Sequence, residues 1–230
     1  MDPGGEQFAR LADFARLVDG DADEVPLGAA ALAMAAVLRS RDTHATLEAF
    51  DDLAASCPTQ SFEGVRAHLY DDLGFAGDEV DYDHPRNSFL DVVVDRRRGL
   101  PIALAVLFVE VAGRAGVGAV GVSMPMHFLV RAADDPDAFV DPFTGQALDR
   151  LGARRRFESL ADGRLRWDDR HLSPTPARLV IVRMLANLKS SYERRADRVG
   201  LAHVALMRAS IAELAPTAAA EAVRLAAVLN

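Results

Sequence analysis

The sequence predicts an α+β protein, and three observations carry that prediction. An apolar run at 102–112 is bracketed by Gly99 and Pro101 before it and by Gly113 and Gly116 after it. Beyond it the pattern changes period, to short Val- and Phe-rich segments at 117–123, 127–131 and 138–141 separated by turn residues. On both sides of this block, apolar residues recur at helical spacing. The expected architecture is therefore a helical N-terminal subdomain at 1–76, a core at 77–172 and a helical tail at 173–230. In the core, a buried helix precedes a small antiparallel sheet.

The central helix is expected to be buried because it is apolar on nearly every side. Leu104, Ala105, Phe108 and Ala112 repeat at helical spacing, and Ile102, Val106, Val109 and Val111 fill most of the remaining circumference. Pro101 suits the first helical position, where its missing N–H costs nothing. The strands that follow place His127 at the opening of one and Asp141 at the close of the next.

In chain order, residues 1–5 offer two glycines and a proline and nothing to bury, so an irregular start is expected. Phe8, Leu11, Ala12, Ala15 and Val18 make an amphipathic helix, and Pro26 opens a second, Ala-rich one. Thr43 is placed as the N-cap of a third, whose face is Leu47, Phe50, Leu53 and Ala54. Ser61 caps a fourth, with Phe62, Val65, Leu69 and Leu73 on one side and Gly74 as its stop. Residues 75–86 read as a polar loop. After Asp149, residues 150–172 read as a strand pair or irregular connector, with Asp162-Gly163 as a hairpin turn. Leu179, Val182, Leu185, Leu188 and Tyr192 mark the first tail helix. Leu201 to Leu214 mark a second that Pro216 ends, and residues 219–229 a third.

A buried helix followed by strands bearing a His and then an Asp is the layout of a papain-like or transglutaminase-like catalytic core. The chain resembles the transglutaminase-like superfamily, and within it a bacterial branch with a tetratricopeptide-like tail. The resemblance lies in Asp81-Tyr82, Asn87-Ser88-Phe89-Leu90, Arg97, the segment from Gly99 to Leu104, His127 to Arg131, and Val140-Asp141-Pro142-Phe143. It implies a Cys at the N-terminus of the buried helix as nucleophile, a His as its base and an Asp that orients the His. Here the matching position holds Pro101, so the resemblance implies a vestigial His127–Asp141 dyad without its nucleophile. The tail resembles one tetratricopeptide hairpin, with Tyr192 and Pro216 in family roles, and a lone hairpin is expected to pack on the core.

Each candidate has a plainer reading beside it. Asn87 offers either an amide near the vacant position or a helix N-cap. Ser88 and Ser123 are the hydroxyls nearest the motifs, and neither begins the buried helix. Arg96-Arg97-Arg98 could draw an anionic partner or pair with the abundant carboxylates, and Glu110 and Arg114 form an i,i+4 pair. Cys57, the single cysteine, precedes a Pro with no His or acid at a recognisable spacing. The binding candidates are thus Asn87, Ser88 and Arg97. The six His residues form no metal-ligand spacing, and GRAGVGAVG follows a helix where a dinucleotide loop would precede one, so neither metal nor cofactor is expected.

The formal net charge of −8 argues against nucleic acid as the main partner. No run approaches the roughly 18 apolar residues that span a bilayer. MDPGGEQ lacks a basic and an apolar signal region, so a cytoplasmic location is expected. Acyl transfer needs a nucleophile that a proline nitrogen cannot supply. The expectation is therefore a catalytically degenerate protein- or peptide-binding scaffold, its oligomeric state open. The alternative is an amide hydrolase or peptidase-like enzyme in which His127, paired with Asp141, activates water or Ser88.

Overall fold

A computed structural model describes residues 3–39 and 43–229 of the chain. Four N-terminal helical segments come first: α1 (Pro3–Val18), α2 (Leu27–Arg39), α3 (His44–Ala55) and α4 (Phe62–Arg66), the last continuing as a π-helical turn over Ala67–Asp72. The expected irregular start is not seen, because α1 already begins at Pro3, where Pro is tolerated in a first turn. Met1 and Asp2 lie outside the described residues. Thr43 stands at the N-cap of α3 but its side chain makes no capping bond; its backbone is already helical there, which turns the hydroxyl away from the free N–H groups. Ser61 does cap α4, accepting from the Gly64 N–H at 3.0 Å.

The polar loop at 75–86 contains a two-residue strand, β1 (Ala76–Gly77), and runs into a 3₁₀ turn at Pro85–Ser88. Then come α5 (Leu90–Arg96), β2 (Arg98–Gly99) and the central helix α6 (Pro101–Arg114). The two short strands pair in parallel, Ala76 with Arg98 and Gly77 with Gly99. Every α6 side chain from Pro101 to Phe108 is buried, with Val111 and Ala112. Gly113 lies inside the helix, which ends at Arg114, and Gly116 makes the turn with φ +74°.

The sheet has four antiparallel strands in sequence order: β3 (Ala119–Val122), β4 (Leu129–Ala132), β5 (Phe139–Asp141) and β6 (Gln146–Leu148). Three were expected. The fourth is short and largely exposed, so it has no alternating apolar signature to read. His127 falls two residues ahead of β4, in the turn, rather than at the strand's opening.

The expected strand pair at 150–172 is corrected to a helix, α7 (Arg150–Ala161), and a 3₁₀ turn at Asp169–Leu172. Asp149 caps α7 by accepting from the Gly152 N–H at 2.6 Å. Ala153, Phe157 and Ala161, four apart, form its buried face. Asp162 and Gly163, both at positive φ, end that helix instead of turning a hairpin.

The tail is α8 (Ala177–Arg194), α9 (Arg198–Ala209) and α10 (Ala215–Leu229). Pro216 was expected to end the second tail helix and instead lies in the first turn of the third, the one part of a helix where Pro is harmless. Tyr192 packs against Gly200, where an added Cβ would lie 2.6 Å from its ring, so the glycine lets α8 and α9 approach closely. One hydrophobic cluster joins Phe14 and Leu32 of the N-terminal helices, Leu104 and Phe108 of α6, and Ile181, Leu185 and Met207 of the tail. Among the described residues no helix is long and apolar enough to cross a membrane.

Candidate functional site

Asp141 closes β5 and starts a tight turn. Its carbonyl accepts from the N–H groups of Thr144 (3.3 Å) and Gly145 (2.8 Å), and Gly145 supplies the positive φ the turn needs. Its carboxylate is almost fully buried. Oδ1 accepts from His127 Nε2 at 2.8 Å and from the Phe143 N–H at 2.9 Å. Oδ2 faces Arg156 Nε of α7 at 3.0 Å, an ion pair outside hydrogen-bond alignment. Burial alone would raise the Asp141 pKa. The hydrogen bond and charge of His127, the Phe143 N–H and the Arg156 charge outweigh it and hold the carboxyl below its ordinary value.

That geometry sets the His127 tautomer. A carboxylate only accepts, so Nε2 carries the hydrogen and Nδ1 keeps a lone pair in the neutral ring. Among the described residues no thiol or hydroxyl hydrogen-bonds to Nδ1. Arg183 of α8 donates to the His127 carbonyl at 2.9 Å. The Tyr70 phenol is pushed up by burial and then by the Asp141 charge. None of Arg156, Arg183 and Tyr70 stood out in the sequence. Arg156 belongs to an Arg run without distinguishing pattern, and Arg183 and Tyr70 look like ordinary members of amphipathic helices.

The start of α6 is tied to the Asp141 turn through a short relay. The Leu100 N–H donates to the Asn87 carbonyl (2.9 Å), Asp78 N–H to the Gly99 carbonyl (3.2 Å), and Gly77 N–H to the Phe143 carbonyl (2.8 Å). A Cβ on Gly77 would lie 2.1 Å from the Phe143 ring, so this approach needs a glycine. Phe143 also meets Tyr82, ring centres 5.9 Å apart. Tyr82 and Leu100 line a cavity of about 110 Å³ closed on the α8 side by Asn187, Ser190, Ser191 and Arg194.

Asn87 does not cap a helix; Phe89 stands at the N-cap of α5. The Asn87 amide is fully buried, donating to the carbonyls of Asp81 (2.7 Å) and Tyr82 (3.3 Å) and accepting from Arg96 at 2.9 Å. Arg96 also donates to Asp78 Oδ2 at 2.8 Å, so these side chains brace the loop that delivers the chain to α6. The arginine run is divided. Arg97 and Arg98 are exposed and donate to the carbonyls of Leu73 and Gly74, at 2.8 and 2.7 Å. Arg97 adopts φ 54° as the C-cap of α5. Ser88 is fully buried and its hydroxyl has no protein partner among the described residues. Ser123 Oγ accepts from Arg183 at 2.5 Å. Cys57 is held in the N-terminal helical segment, its thiol on the Thr59 carbonyl at 3.3 Å.

Glu110 does more than pair with Arg114 (2.6 Å): its Oε1 also accepts from the Gly28 N–H at 2.8 Å. Among the described residues no group of three His, Cys, Asp or Glu side chains could hold a metal ion.

A UPF0162 protein of Xylella fastidiosa (strain 9a5c) is 44% identical over 134 residues, covering 56% of this chain and 47% of that protein. The UPF0162 protein of Vibrio cholerae serotype O1 is 28% identical over 135 residues, 58% of this chain and 50% of that protein. F-box only protein 21 of Mus musculus is 34% identical over 95 residues, 41% of this chain and 15% of its own length. The chain thus spans about half the length of the bacterial relatives it matches. No solved structure matches it. The sequence pattern of the transglutaminase-like superfamily matches residues 30–186, from within α2 to within α8 and including both members of the buried His–Asp pair. With that match over most of its length, the chain belongs to the transglutaminase-like superfamily.

Proposed function

We propose that this is a catalytically degenerate transglutaminase-like domain that binds a protein or peptide segment, with the His127–Asp141 pair serving as a fixed hydrogen-bonding group. One observation carries the reading. The lone-pair nitrogen of His127 has no thiol or hydroxyl partner among the described residues, while the helix where the superfamily resemblance locates a nucleophile begins with buried Pro101. Acyl transfer through a covalent intermediate requires that nucleophile. Of the other candidates, the Cys57 thiol is bonded to the Thr59 carbonyl, the Ser123 hydroxyl accepts from Arg183, and the Ser88 hydroxyl is fully buried with no bond to His127. An imidazole held by a buried carboxylate remains a good acceptor for a backbone or side-chain N–H of a bound peptide.

Replacing Pro101 with Cys tests the assignment. At a helix N-terminus near an imidazole, a thiol is favoured as thiolate. Pro101→Cys should react with iodoacetamide at neutral pH faster than Cys57, and His127→Ala should remove most of that advantage. The change should cost about 1 kcal/mol of stability or less, since Pro at N1 is helpful but not required. A thiol indifferent to His127 would overturn the placement of Pro101. Peptide-amide hydrolysis by the wild-type chain that disappears in His127→Ala would instead establish the enzymatic alternative, through water or Ser88.

A further inference from the structure

The His127 turn is short and conformationally demanding. Residues 123–128, Ser-Met-Pro-Met-His-Phe, connect β3 to β4, and Met126 takes φ 64°, a region disfavoured for any residue with a Cβ. Within the turn there is one backbone bond, from His127 N–H to the Met124 carbonyl at 3.1 Å. That bond does not determine where the imidazole points.

The missing restraint comes from the C-terminal tail. Arg183 of α8 sends Nη1 to Ser123 Oγ (2.5 Å) and to the Met124 carbonyl (3.0 Å), and Nη2 to the His127 carbonyl (2.9 Å). Its guanidinium also lies over the Phe128 ring, 5.5 Å from the centre. Burial pushes the Arg183 pKa down, with the nearby Tyr82 acting in the other direction, yet a guanidinium stays charged at neutral pH. No carboxylate among the described residues pairs with it, so the cation's partners are the carbonyls and hydroxyl of this turn. A planar fork that must satisfy three acceptors at once holds them rigidly. Thr175, just ahead of α8, adds a strap: its N–H donates to the Gly121 carbonyl and its Oγ1 accepts from Ser123 N–H, both at 2.8 Å.

We propose that Arg183 is the positioning residue of the His127–Asp141 pair, so that the C-terminal helices are part of the site rather than a module appended to it. The proposal rests on reading that pair as the working group of the site. His127 is gripped twice, at its carbonyl by Arg183 and at its ring by Asp141. Releasing the first grip lets the turn relax from the Met126 conformation and carries Nε2 away from the carboxylate.

The test uses the full chain labelled with ¹⁵N. Long-range proton–nitrogen correlation of the His127 ring, identified by its loss in His127→Gln, reports the tautomer and the exchange rate of the Nε2 hydrogen. In the wild type Nε2–H should be the single tautomer with a protected hydrogen. Arg183→Gln should mix the tautomers and speed exchange by about tenfold or more, the scale of losing a charge-assisted hydrogen bond. Arg183→Lys keeps the charge but not the fork and should fall between. Arg178→Gln, on the same helix but bonded to the Gly20 carbonyl and Glu213, should leave the ring signal unchanged. Wild-type tautomer and exchange in a folded Arg183→Gln would overturn the proposal. Should that variant not fold, Arg183→Lys and Ser123→Ala take its place, and an unchanged ring in both overturns it equally. The ring signal needs no thiol at position 101, so its outcome is separate from that of the Pro101→Cys experiment.

Discussion

Glu110 of the central helix accepts a hydrogen bond from the Gly28 N–H, 82 residues earlier in the chain, and so caps the second helix with a carboxylate from another element. A Cβ on Gly28 would lie 2.4 Å from Glu110 Cδ, so the glycine makes room for the cap. Capping and the helix dipole both favour an anion there. Glu110→Ala should lower stability by about 1–2 kcal/mol, and Gly28→Ala should do the same by expelling the carboxylate. Urea denaturation of each variant and of the double variant measures this. Additive losses would show that the two residues act separately.

Asp141 gives the acid limb of stability a defined sign. Its native pKa is depressed below the ordinary carboxylate value, so the folded state holds its proton less tightly than the unfolded chain. That contribution is complete above the unfolded value, about pH 4, and is lost as pH falls through the native value. Asp141→Asn should be less stable than wild type by about 2 kcal/mol at neutral pH, and the gap should close as the solution is acidified. Denaturation curves for both proteins across the acid range decide it; a gap that widens on acidification contradicts the assignment.

Gly145 and Gly163 form an internal comparison. Both have positive φ, 74° and 72°, but a Cβ on Gly145 would press 2.6 Å from Tyr70 Cβ, whereas Gly163 has nothing within 4 Å. Gly163→Ala should cost about 1 kcal/mol through backbone strain alone. Gly145→Ala should cost more and should weaken the His127 ring protection, because the same turn carries Asp141. Equal losses in chemical denaturation would mean that Tyr70 yields freely.

Truncation before residue 175 tests the tail as a whole. Val180, Ile181, Met184, Leu185 and Leu188 of α8 are buried in the hydrophobic cluster that also holds α6. Removing 175–230 should leave that surface wet and give an aggregating or partly unfolded product. A monomeric truncated protein with the full-length melting transition would show that the tail contributes nothing to the core.

The sequence by itself determined those features with a local period or a local stop. The all-round apolar run at 102–112 reads as a buried helix and the short Val- and Phe-rich segments at 117–123, 127–131 and 138–141 read as strands, because each pattern repeats within a few residues; the strands themselves are trimmed to 119–122, 129–132 and 139–141. Residues 150–172 read as a strand pair or irregular connector, yet 150–161 form a helix whose Asp149, Ala153, Phe157 and Ala161 carry a cap and a buried stripe. Its exposed face is crowded with arginines, which hid a stripe of only three residues. Pro216 opens α10 instead of ending α9, because a proline marks a helix boundary without saying on which side the helix lies. The two-residue strands β1 and β2, the Glu110 cap on Gly28, the Arg156 contact with Asp141 and the Arg183 grip on the His127 turn were decided only by the tertiary structure. Each joins residues of separate elements that no local period links. Contacts between separate elements leave no periodic trace, so which arginine of many reaches His127 is settled only when the tail helix packs against the sheet.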